Sequence, residues 1–325
     1  MTNLDRIKYP VRDEFAKFEA GFKSAFQTEN ALLAQIASHI LQKNGKKLRP
    51  AIVLLAAKLC ANVCNAATVE SAVALELLHT ASLIHDDIVD DTMIRRGMPS
   101  VNAVWNNKIS VLAGDYFLSN ALHFTSRTQN LKIMTLLAEI GICLSEGELS
   151  QLSKGNQISI SEAEYLAIIR SKTALLFASC AKMGALSVDA DEHKTLKMSL
   201  FGEFLGICFQ IKDDIFDYSE NKNIGKPTGN DIREGKITLP LIFALQNAAE
   251  TEKSEIVNIL KTNDLNNTNI EKIIKFVKDN GGIEYSIDKM LIYKDKAIAE
   301  LDSFPDGELK NALAGCAEFA VQRNF

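Results

Sequence analysis

The sequence predicts an all-α fold, and two observations lead to it. Apolar residues recur at three- and four-residue spacing through long stretches, as at Leu136, Leu137 and Ile140, and this is the helical period. No proline interrupts the chain between Pro99 and Pro227, and no run of alternating β-branched residues marks a strand. We therefore expect about a dozen helices packed in one bundle.

Composition narrows the class of protein. The chain has 325 residues, of which 47% are hydrophobic and 24% are charged, as in soluble globular proteins. The formal net charge of -5 speaks against a general nucleic-acid surface. The N-terminus lacks an apolar leader, and no uncharged run is long enough for a membrane span, so we expect a cytoplasmic protein without an anchor. Without a linker of shifted composition, residues 1–325 are expected to form one domain.

Two segments are apolar almost all round, at about residues 66–84 and 200–216. Helices without a polar face lie at the centre of a bundle. Each of these segments ends in an acidic cluster of the form Asp-Asp-x-x-Asp. If the two helices pack side by side, both clusters point at one cavity.

The acidic clusters are the strongest chemical signal in the chain. They comprise Asp86, Asp87 and Asp90, and Asp213, Asp214 and Asp217. A buried ionised carboxylate is unfavourable by several kcal/mol unless it is paired or binds a metal. Oxygen-only sites with one or two carboxylates suit Mg²⁺, whose remaining ligands are water and phosphate oxygens. The alternative is a solvated acidic helix end, which the duplication of the motif disfavours.

Basic residues stand near the chain breaks, where they can bind phosphate. Arginine contacts phosphate through two parallel hydrogen bonds, and lysine acts as a point charge. His79 lies seven residues before the first cluster and on roughly the same helix face. The basic pairs are Lys46 and Arg49, Arg95 and Arg96, and Lys226 and Lys236.

These motifs together resemble those of the trans-isoprenyl diphosphate synthases, the polyprenyl synthetases. Asp86-Asp87-x-x-Asp90 with the following Arg-Arg-Gly resembles the first aspartate-rich motif of that family, and residues 209–217 resemble the second. Gly45-Lys46-x-x-Arg49-Pro50, Lys172-Thr173, and the segment from Gly225 to Lys236 resemble further elements in the same order. The resemblance covers nearly the whole chain. It implies a single helical bundle of the isoprenoid-synthase type around a deep central cavity.

The resemblance also implies roles for individual residues. Three Mg²⁺ ions would bridge the allylic diphosphate, two held by Asp86 and Asp90 and the third by Asp213. The residues implied in catalysis are Asp86, Asp87, Asp90, Arg95, Lys172, Asp213, Asp214 and Lys226. Contacts to the allylic diphosphate are implied for Arg95, Lys172, Thr173, Gln210, Lys226 and Lys236. Contacts to the diphosphate of isopentenyl diphosphate are implied for Lys46, Arg49, His79 and Arg96.

Small side chains before the first acidic cluster bear on product length. Ala81 and Ser82 precede Asp86 by five and four residues, and a Phe or Tyr there would close the product tunnel early. We therefore expect a long product, and octaprenyl diphosphate for a quinone side chain is the favoured one. The floor of the product tunnel is expected to come from helix 131–149, or from Tyr116 and Phe117. The alternative is that small residues merely permit close helix packing, in a short-chain farnesyl or geranylgeranyl synthase.

Two more distant alternatives share this fold. A class I terpene cyclase would carry Asn, Ser and Glu in its second metal motif and would not need Lys46 and Arg49. A partner subunit of a heteromeric synthase would generally have lost aspartates. Because the family forms dimers, a homodimer is expected. Transient membrane contact would serve the release of an insoluble prenyl chain.

Overall fold

The structure is a computed structural model that describes residues 3–42, 45–95, 97–154, 160–218 and 229–323, with only the backbone described at 150–154. The all-α prediction is confirmed. The α-helices in these ranges are α1 Asn3–Lys8, α2 Arg12–Ser24, α3 Ala31–Leu41, α4 Leu48–Ala61, α5 Ala66–Val89, α6 Val101–Trp105, α7 Asn107–Arg127, α8 Leu131–Lys154, α9 Glu162–Ile169, α10 Leu175–Ser187, α11 Glu192–Phe216, α12 Asn230–Arg233, α13 Leu239–Asn247, α14 Glu250–Thr262, α15 Asn267–Asp279, α16 Gly282–Ala299 and α17 Glu308–Gln322.

The described ranges hold more helices than the dozen expected. Several of the additional ones, such as α6 and α12, have only five and four residues, too few to show a helical period in the sequence. A 3₁₀ turn, Tyr9–Val11, joins α1 to α2, and a π-helical turn, Arg170–Ala174, joins α9 to α10.

A short antiparallel hairpin follows the first acidic cluster, which the absence of strand signals did not predict. Strand β1, Ile94–Arg95, pairs with β2, Met98–Pro99. Gly97 in the turn has a φ of 74°, a conformation that glycine adopts without steric cost. Two residues per strand are too few for an alternating pattern.

The chain divides into two compact units. The first contains Met1–Ile140, Ser179–Ser199 and Leu301–Cys316, and the second contains Gly141–Ala178, Leu200–Glu300 and Ala317–Phe325. The division falls inside helices α8, α10, α11 and α17. The assignment of residues 1–325 to one domain therefore stays a prediction.

Helix α5 is the central helix of the first unit, where α2, α4 and α7 pack around it. It begins at a capping box, in which the Asn65 side chain accepts from Thr68 N at 2.9 Å. Val73, Leu75 and Leu77 are fully buried. Within the described residues, α5 is the one helix with the length and hydropathy of a membrane span, and its burial in this unit accounts for that composition.

The second unit holds its own apolar core and close contacts between its helices. Ile273 and Val277 of α15 pack with Leu241 of α13 and with Tyr218, all fully buried. Helix α11 lies close to the turn Arg170–Ala174, because a Cβ atom added to Gly206 would lie 2.5 Å from Ala174 Cα. This contact sets the distance between α11 and the π-helical turn.

Candidate active site

The first acidic cluster lies at the C-terminal end of α5, as predicted. Asp90 caps the helix, and its backbone N–H donates to Asp86 O at 2.8 Å. Asp87 is buried, and its Oδ1 accepts from Arg95 Nε at 2.5 Å. The side chain of Asp86 is half-buried and that of Asp90 is exposed.

The second cluster lies at the C-terminal end of α11. Asp214 is buried and accepts from Tyr165 Oη at 2.5 Å and from Gln210 Nε2 at 2.8 Å. Asp217 accepts from the backbone N–H groups of Asn230 at 2.8 Å and Asp231 at 3.0 Å, which are the first two residues of helix α12.

Burial has marked effects on the ionisation of this second cluster. It raises the pKa of Asp214 to about 8, although hydrogen bonds from Tyr165 and Gln210 act in the opposite direction. Burial, and then the Asp214 charge, raises the pKa of Tyr165 well above its usual range, so the tyrosine keeps its hydroxyl hydrogen and can donate it to Asp214 Oδ2. Burial also raises the pKa of Asp217, against the backbone N–H groups that it accepts from.

Asp213 pairs with an arginine from the end of the chain. Arg323 Nη2 lies 2.8 Å from Asp213 Oδ1, and it also donates to Phe209 O at 2.7 Å. The guanidinium lies over the Phe209 ring, 3.5 Å from its centroid. Burial lowers the pKa of Arg323, and the charge of Asp213 opposes this. The Asp213 side chain keeps 43% of its surface exposed.

The two clusters share an arrangement within their own units. The middle aspartate, Asp87 or Asp214, is buried and hydrogen-bonded to neighbouring side chains, whereas Asp86, Asp90 and Asp213 keep accessible oxygens. Carboxylates at a helix C-terminus oppose the helix dipole, so the position is unfavourable without a cation.

The donor set of these clusters fits Mg²⁺. It consists of oxygens alone. In the part of the chain that the structure describes, no three His, Cys, Asp or Glu side chains form a complete metal site. The accessible carboxylates suit a metal that takes one or two protein ligands and completes its shell with water and phosphate.

A cleft in the first unit gathers several predicted residues. His79, Arg95 and Asp87 line it together with Lys47. His79 Nε2 lies 3.1 Å from Arg49 Nη1, so helices α5 and α4 hold these two predicted diphosphate contacts together.

The two lysines of the basic connection before α4 differ in position. Lys46 is exposed, whereas Lys47 lines the cleft and pairs with Glu19 at 3.1 Å. The sequence element Gly-Lys-x-x-Arg did not distinguish these two neighbours. Arg96 lies outside the described residues.

The remaining predicted phosphate contacts lie in the second unit. Lys172 Nζ is 3.0 Å from Glu148 Oε2, and Thr173 Oγ1 donates to Gln210 Oε1 at 2.7 Å. Lys236 contacts Glu234. Lys226 lies outside the described residues. The roles of all these residues in substrate binding stay predictions.

The predicted chain-length residues lie in the last part of α5. Ala81 is buried, and Ser82 is half-buried, with its Oγ donating to His79 O at 3.0 Å. Phe117, one of the predicted floor residues, is fully buried against Phe26, with ring centroids 4.8 Å apart.

The sequence analysis did not predict two residues that contact the second cluster. Tyr165 lies in an ordinary amphipathic stretch, and Arg323 lies about a hundred residues beyond the motif that it contacts. No local pattern marks either of them. Only the fold brings them to Asp214 and Asp213.

Comparison with known proteins identifies the class of enzyme. The family model described as Polyprenyl synthetase matches residues 30–277. The octaprenyl diphosphate synthase of Haemophilus influenzae is 31% identical over 100% of this chain and 98% of its own. The heptaprenyl diphosphate synthase component 2 of Bacillus subtilis is 33% identical over 97% of this chain and 89% of its own.

The solved structures that this chain resembles belong to the same class of enzyme. The polyprenyl synthase from Caulobacter crescentus, complexed with calcium and isoprenyl diphosphate, has a TM-score of 0.93 and 32% identity, covering 99% of this chain and 98% of its own. The geranylgeranyl pyrophosphate synthase from Bacteroides thetaiotaomicron has a TM-score of 0.86 and 43% identity, covering 99% of this chain and 100% of its own. The chain belongs to the polyprenyl synthetase family and is a trans-prenyl diphosphate synthase, an enzyme that transfers prenyl groups.

Proposed function

We propose that the protein condenses isopentenyl diphosphate with farnesyl or geranylgeranyl diphosphate and makes a long all-trans polyprenyl diphosphate. The observation that carries this proposal is the arrangement of the two aspartate clusters. The first cluster leaves Asp86 and Asp90 accessible at a helix end, and the second leaves Asp213, while the middle carboxylate of each is held inside its unit. A site for diphosphate-bound cations needs such oxygens.

Asp86, Asp90 and Asp213 are the proposed metal ligands. When bound by them, Mg²⁺ would neutralise the leaving pyrophosphate and so favour ionisation of the allylic C–O bond. The calcium in the related Caulobacter structure supports a divalent ion at such a site. We expect three ions in each active site, from the resemblance alone.

The basic side chains would hold the two substrates. Arg95, held by Asp87 at 2.5 Å, would contact the allylic diphosphate, and Arg49 and His79, 3.1 Å apart, would contact that of isopentenyl diphosphate. Holding both substrates in register supplies the proximity contribution to the rate. The cleft in the first unit, with Leu83 and Ile84 in its wall, would keep water from the allylic cation. The other proposed contacts are Lys46, Arg96, Lys172, Thr173, Gln210, Lys226 and Lys236.

Octaprenyl diphosphate is the proposed product, for a quinone side chain. Ala81 and Ser82 support it, because neither side chain is large enough to close a tunnel beside α5. The relatives carry both kinds of name, octaprenyl in Haemophilus influenzae and geranylgeranyl in Bacteroides thetaiotaomicron. A short-chain synthase is therefore the second candidate.

The proposed assembly is a homodimer in the cytoplasm, with transient membrane contact during product release. The Bacillus subtilis relative is named component 2, so a second subunit is the alternative.

Product analysis tests this function. Purified protein would be incubated with Mg²⁺, radiolabelled isopentenyl diphosphate and farnesyl diphosphate, and the products separated by chromatography. We expect a ladder that ends at octaprenyl diphosphate and disappears with a chelator. A product that stops at geranylgeranyl diphosphate would keep the chemistry but contradict the tunnel argument.

Two further outcomes separate the distant alternatives. Consumption of farnesyl diphosphate without isopentenyl diphosphate would indicate a cyclase. No incorporation by folded protein would overturn the proposed homodimeric enzyme and indicate a missing subunit.

A further inference from the structure

A chain of three side-chain hydrogen bonds runs through the second unit. Tyr165 Oη donates to Asp214 Oδ2 at 2.5 Å, and Gln210 Nε2 donates to Asp214 Oδ1 at 2.8 Å. The chain continues from Gln210 Oε1, which accepts from Thr173 Oγ1 at 2.7 Å. It thus connects a buried tyrosine to a hydroxyl proposed to contact the allylic substrate.

Each bond of this chain fixes the direction of the next. Asp214 Oδ2 accepts from the Tyr165 hydroxyl, and Asp214 Oδ1 accepts from the NH₂ group of Gln210, which is the donor end of the amide. The amide oxygen then faces Thr173 and takes its hydroxyl hydrogen. Without the tyrosine hydroxyl, the carboxylate would be less firmly held and the amide less strictly oriented.

Tyr165 and Asp214 lie deep in the unit, with 3% and 2% of their surfaces exposed. A buried carboxylate is unfavourable unless it is hydrogen-bonded, and an apolar pair of similar volume would fill the same space at no such cost. Stability of the fold therefore does not require a polar pair at these two positions. An apolar pair, however, could not form the hydrogen bond that orients Gln210.

Thr173 lies in the π-helical turn Arg170–Ala174, between α9 and α10. Such turns often occur at functional sites, and they depart from the regular α-helical hydrogen-bond pattern. The Thr173 hydroxyl in this turn is hydrogen-bonded to its side-chain partner, Gln210.

We propose that Tyr165 is a positioning residue for the allylic substrate, which through Asp214 holds Gln210 and Thr173 in their working orientation. This inference rests on the proposed function. Tyr165 itself touches no reacting atom in it.

The variant Tyr165→Phe tests the inference, because it keeps the ring and removes the hydroxyl. Steady-state kinetics would be measured for farnesyl diphosphate and isopentenyl diphosphate separately, at saturating Mg²⁺. We expect kcat/KM for the allylic substrate to fall about tenfold or more, the usual effect of losing a group that orients a ligand. The KM for isopentenyl diphosphate is expected to stay within about twofold of wild type, because its proposed contacts do not include this network.

Tyr285→Phe is the matched control. Its hydroxyl also donates to a carboxylate, Glu162 Oε2 at 2.6 Å, in the same unit but outside the network. We expect unchanged kinetics for both substrates. If both variants lose activity equally, or if Tyr165→Phe lowers only the melting temperature, the inference is wrong.

Asp214→Asn tests the same link from the carboxylate side and serves if Tyr165→Phe does not fold. We expect the same selective loss toward the allylic substrate. An active wild type with an unaffected Tyr165→Phe would overturn the positioning role alone. An inactive wild type would overturn the proposed function, and this inference with it.

Discussion

The structure separates the roles of neighbouring aspartates that look equivalent in the sequence. Asp87 and Asp214 accept hydrogen bonds inside their units, and the Asp217 side chain accepts from the first backbone N–H group of helix α12. The accessible carboxylates are those of Asp86, Asp90 and Asp213. The motif Asp-Asp-x-x-Asp thus combines groups that can hold a cation with groups that fix the end of the helix.

Asp86→Asn is expected to separate activity from stability. Removing one carboxylate charge from a metal ligand would lower kcat by about a hundredfold or more, since even residues that only support ligands contribute about 10- to 100-fold. Because the side chain is only half-buried, the melting temperature is expected to change little. Prenyl transfer and thermal unfolding would be measured together.

Asp115→Asn is the control for this prediction. Asp115 is an exposed acidic residue on α7, with 58% of its side chain accessible. Its activity is expected to match wild type. Full activity in Asp86→Asn would contradict the metal-ligand proposal.

Ala81→Phe tests the chain-length proposal. A phenyl ring five residues before Asp86 is expected to shorten the product toward geranylgeranyl or farnesyl diphosphate while condensation continues. Overpacking at this buried site would lower stability by about 1–3 kcal/mol, so folding is checked by circular dichroism. Product length would be measured by chromatography.

Ser82→Ala is the matched variant without added bulk, and its product is expected to keep the wild-type length. A product of unchanged length from folded Ala81→Phe would mean that this position does not line the tunnel.

At this scale the sequence predicts motif residues but not their partners. The C-terminal location of both clusters followed from apolar helices that stop there. Tyr165 and Arg323 could not be predicted, because their contacts with Asp214 and Asp213 depend on tertiary packing across about 50 and 110 residues. The sequence also did not show that Lys47, whose φ of 49° is left-handed, lines the cleft while Lys46 is exposed.

At the scale of elements, the close approach of α11 to α10 and to the π-helical turn before it brings Gln210 to Thr173. Gly202 and Gly206 lie on one face of α11, four residues apart. A Cβ atom at Gly202 would lie 2.4 Å from Phe177 O, and one at Gly206 would lie 2.5 Å from Ala174 Cα. This proximity lets Gln210, one turn further along α11, reach Thr173.

Gly206→Ala is expected to destabilise the protein by about 1–3 kcal/mol, because the methyl group meets backbone atoms that cannot move aside cheaply. Displacement of α11 would also weaken the allylic contacts. Denaturant unfolding would measure the free-energy change.

Gly141→Ala, in α8, is the control, because a Cβ atom there meets nothing within 4 Å. It is expected to be neutral or to stabilise by about 0.4–1 kcal/mol. Equal stability changes in the two variants would exclude steric contact as the cause.

The contact between helices α9 and α16 makes a contribution to stability that depends on pH. Glu162 at the start of α9 accepts from Lys289 Nζ at 2.7 Å and from Tyr285 Oη at 2.6 Å, both on α16. Burial raises the pKa of Glu162, but these hydrogen bonds outweigh burial and leave the pKa below its usual value. The link therefore contributes stability above the unfolded pKa, near 4.3, and the contribution is lost as pH falls through the folded pKa.

Glu162→Gln is expected to remove this dependence. The variant would lose about 1 kcal/mol or less at neutral pH, since the pair is partly exposed, and the difference from wild type would shrink between about pH 5 and pH 3. Urea unfolding across that range measures it. A difference that grows on acidification would contradict the assignment.

At the scale of the whole molecule, one helix presents an unusual surface. Ile142 and Leu149 of α8, both in the second unit, lie on one helix face seven residues apart, with 57% and 68% of their surfaces exposed. Apolar side chains aligned in this way are typical of an interface, whereas scattered ones are not. The periodicity of α8 predicted a helix correctly but did not show that one apolar face stays open.

We expect this face of α8 to contribute to the homodimer. Wild-type protein is expected to elute at twice the chain mass of 35.8 kDa in size-exclusion chromatography with light scattering. The double variant Ile142→Glu with Leu149→Glu is expected to shift toward the monomer, because burying two carboxylates in an apolar interface is unfavourable. Both side chains are exposed in the single chain, so its fold is expected to persist.

Leu196→Glu is the matched control for this last prediction. Leu196 on α11 is 57% exposed, like Ile142, but belongs to a different helix face. It is expected to remain dimeric, which separates loss of the α8 face from a general effect of added charge. A monomeric wild type would contradict the expected homodimer, and a double variant that stays dimeric would place the interface elsewhere.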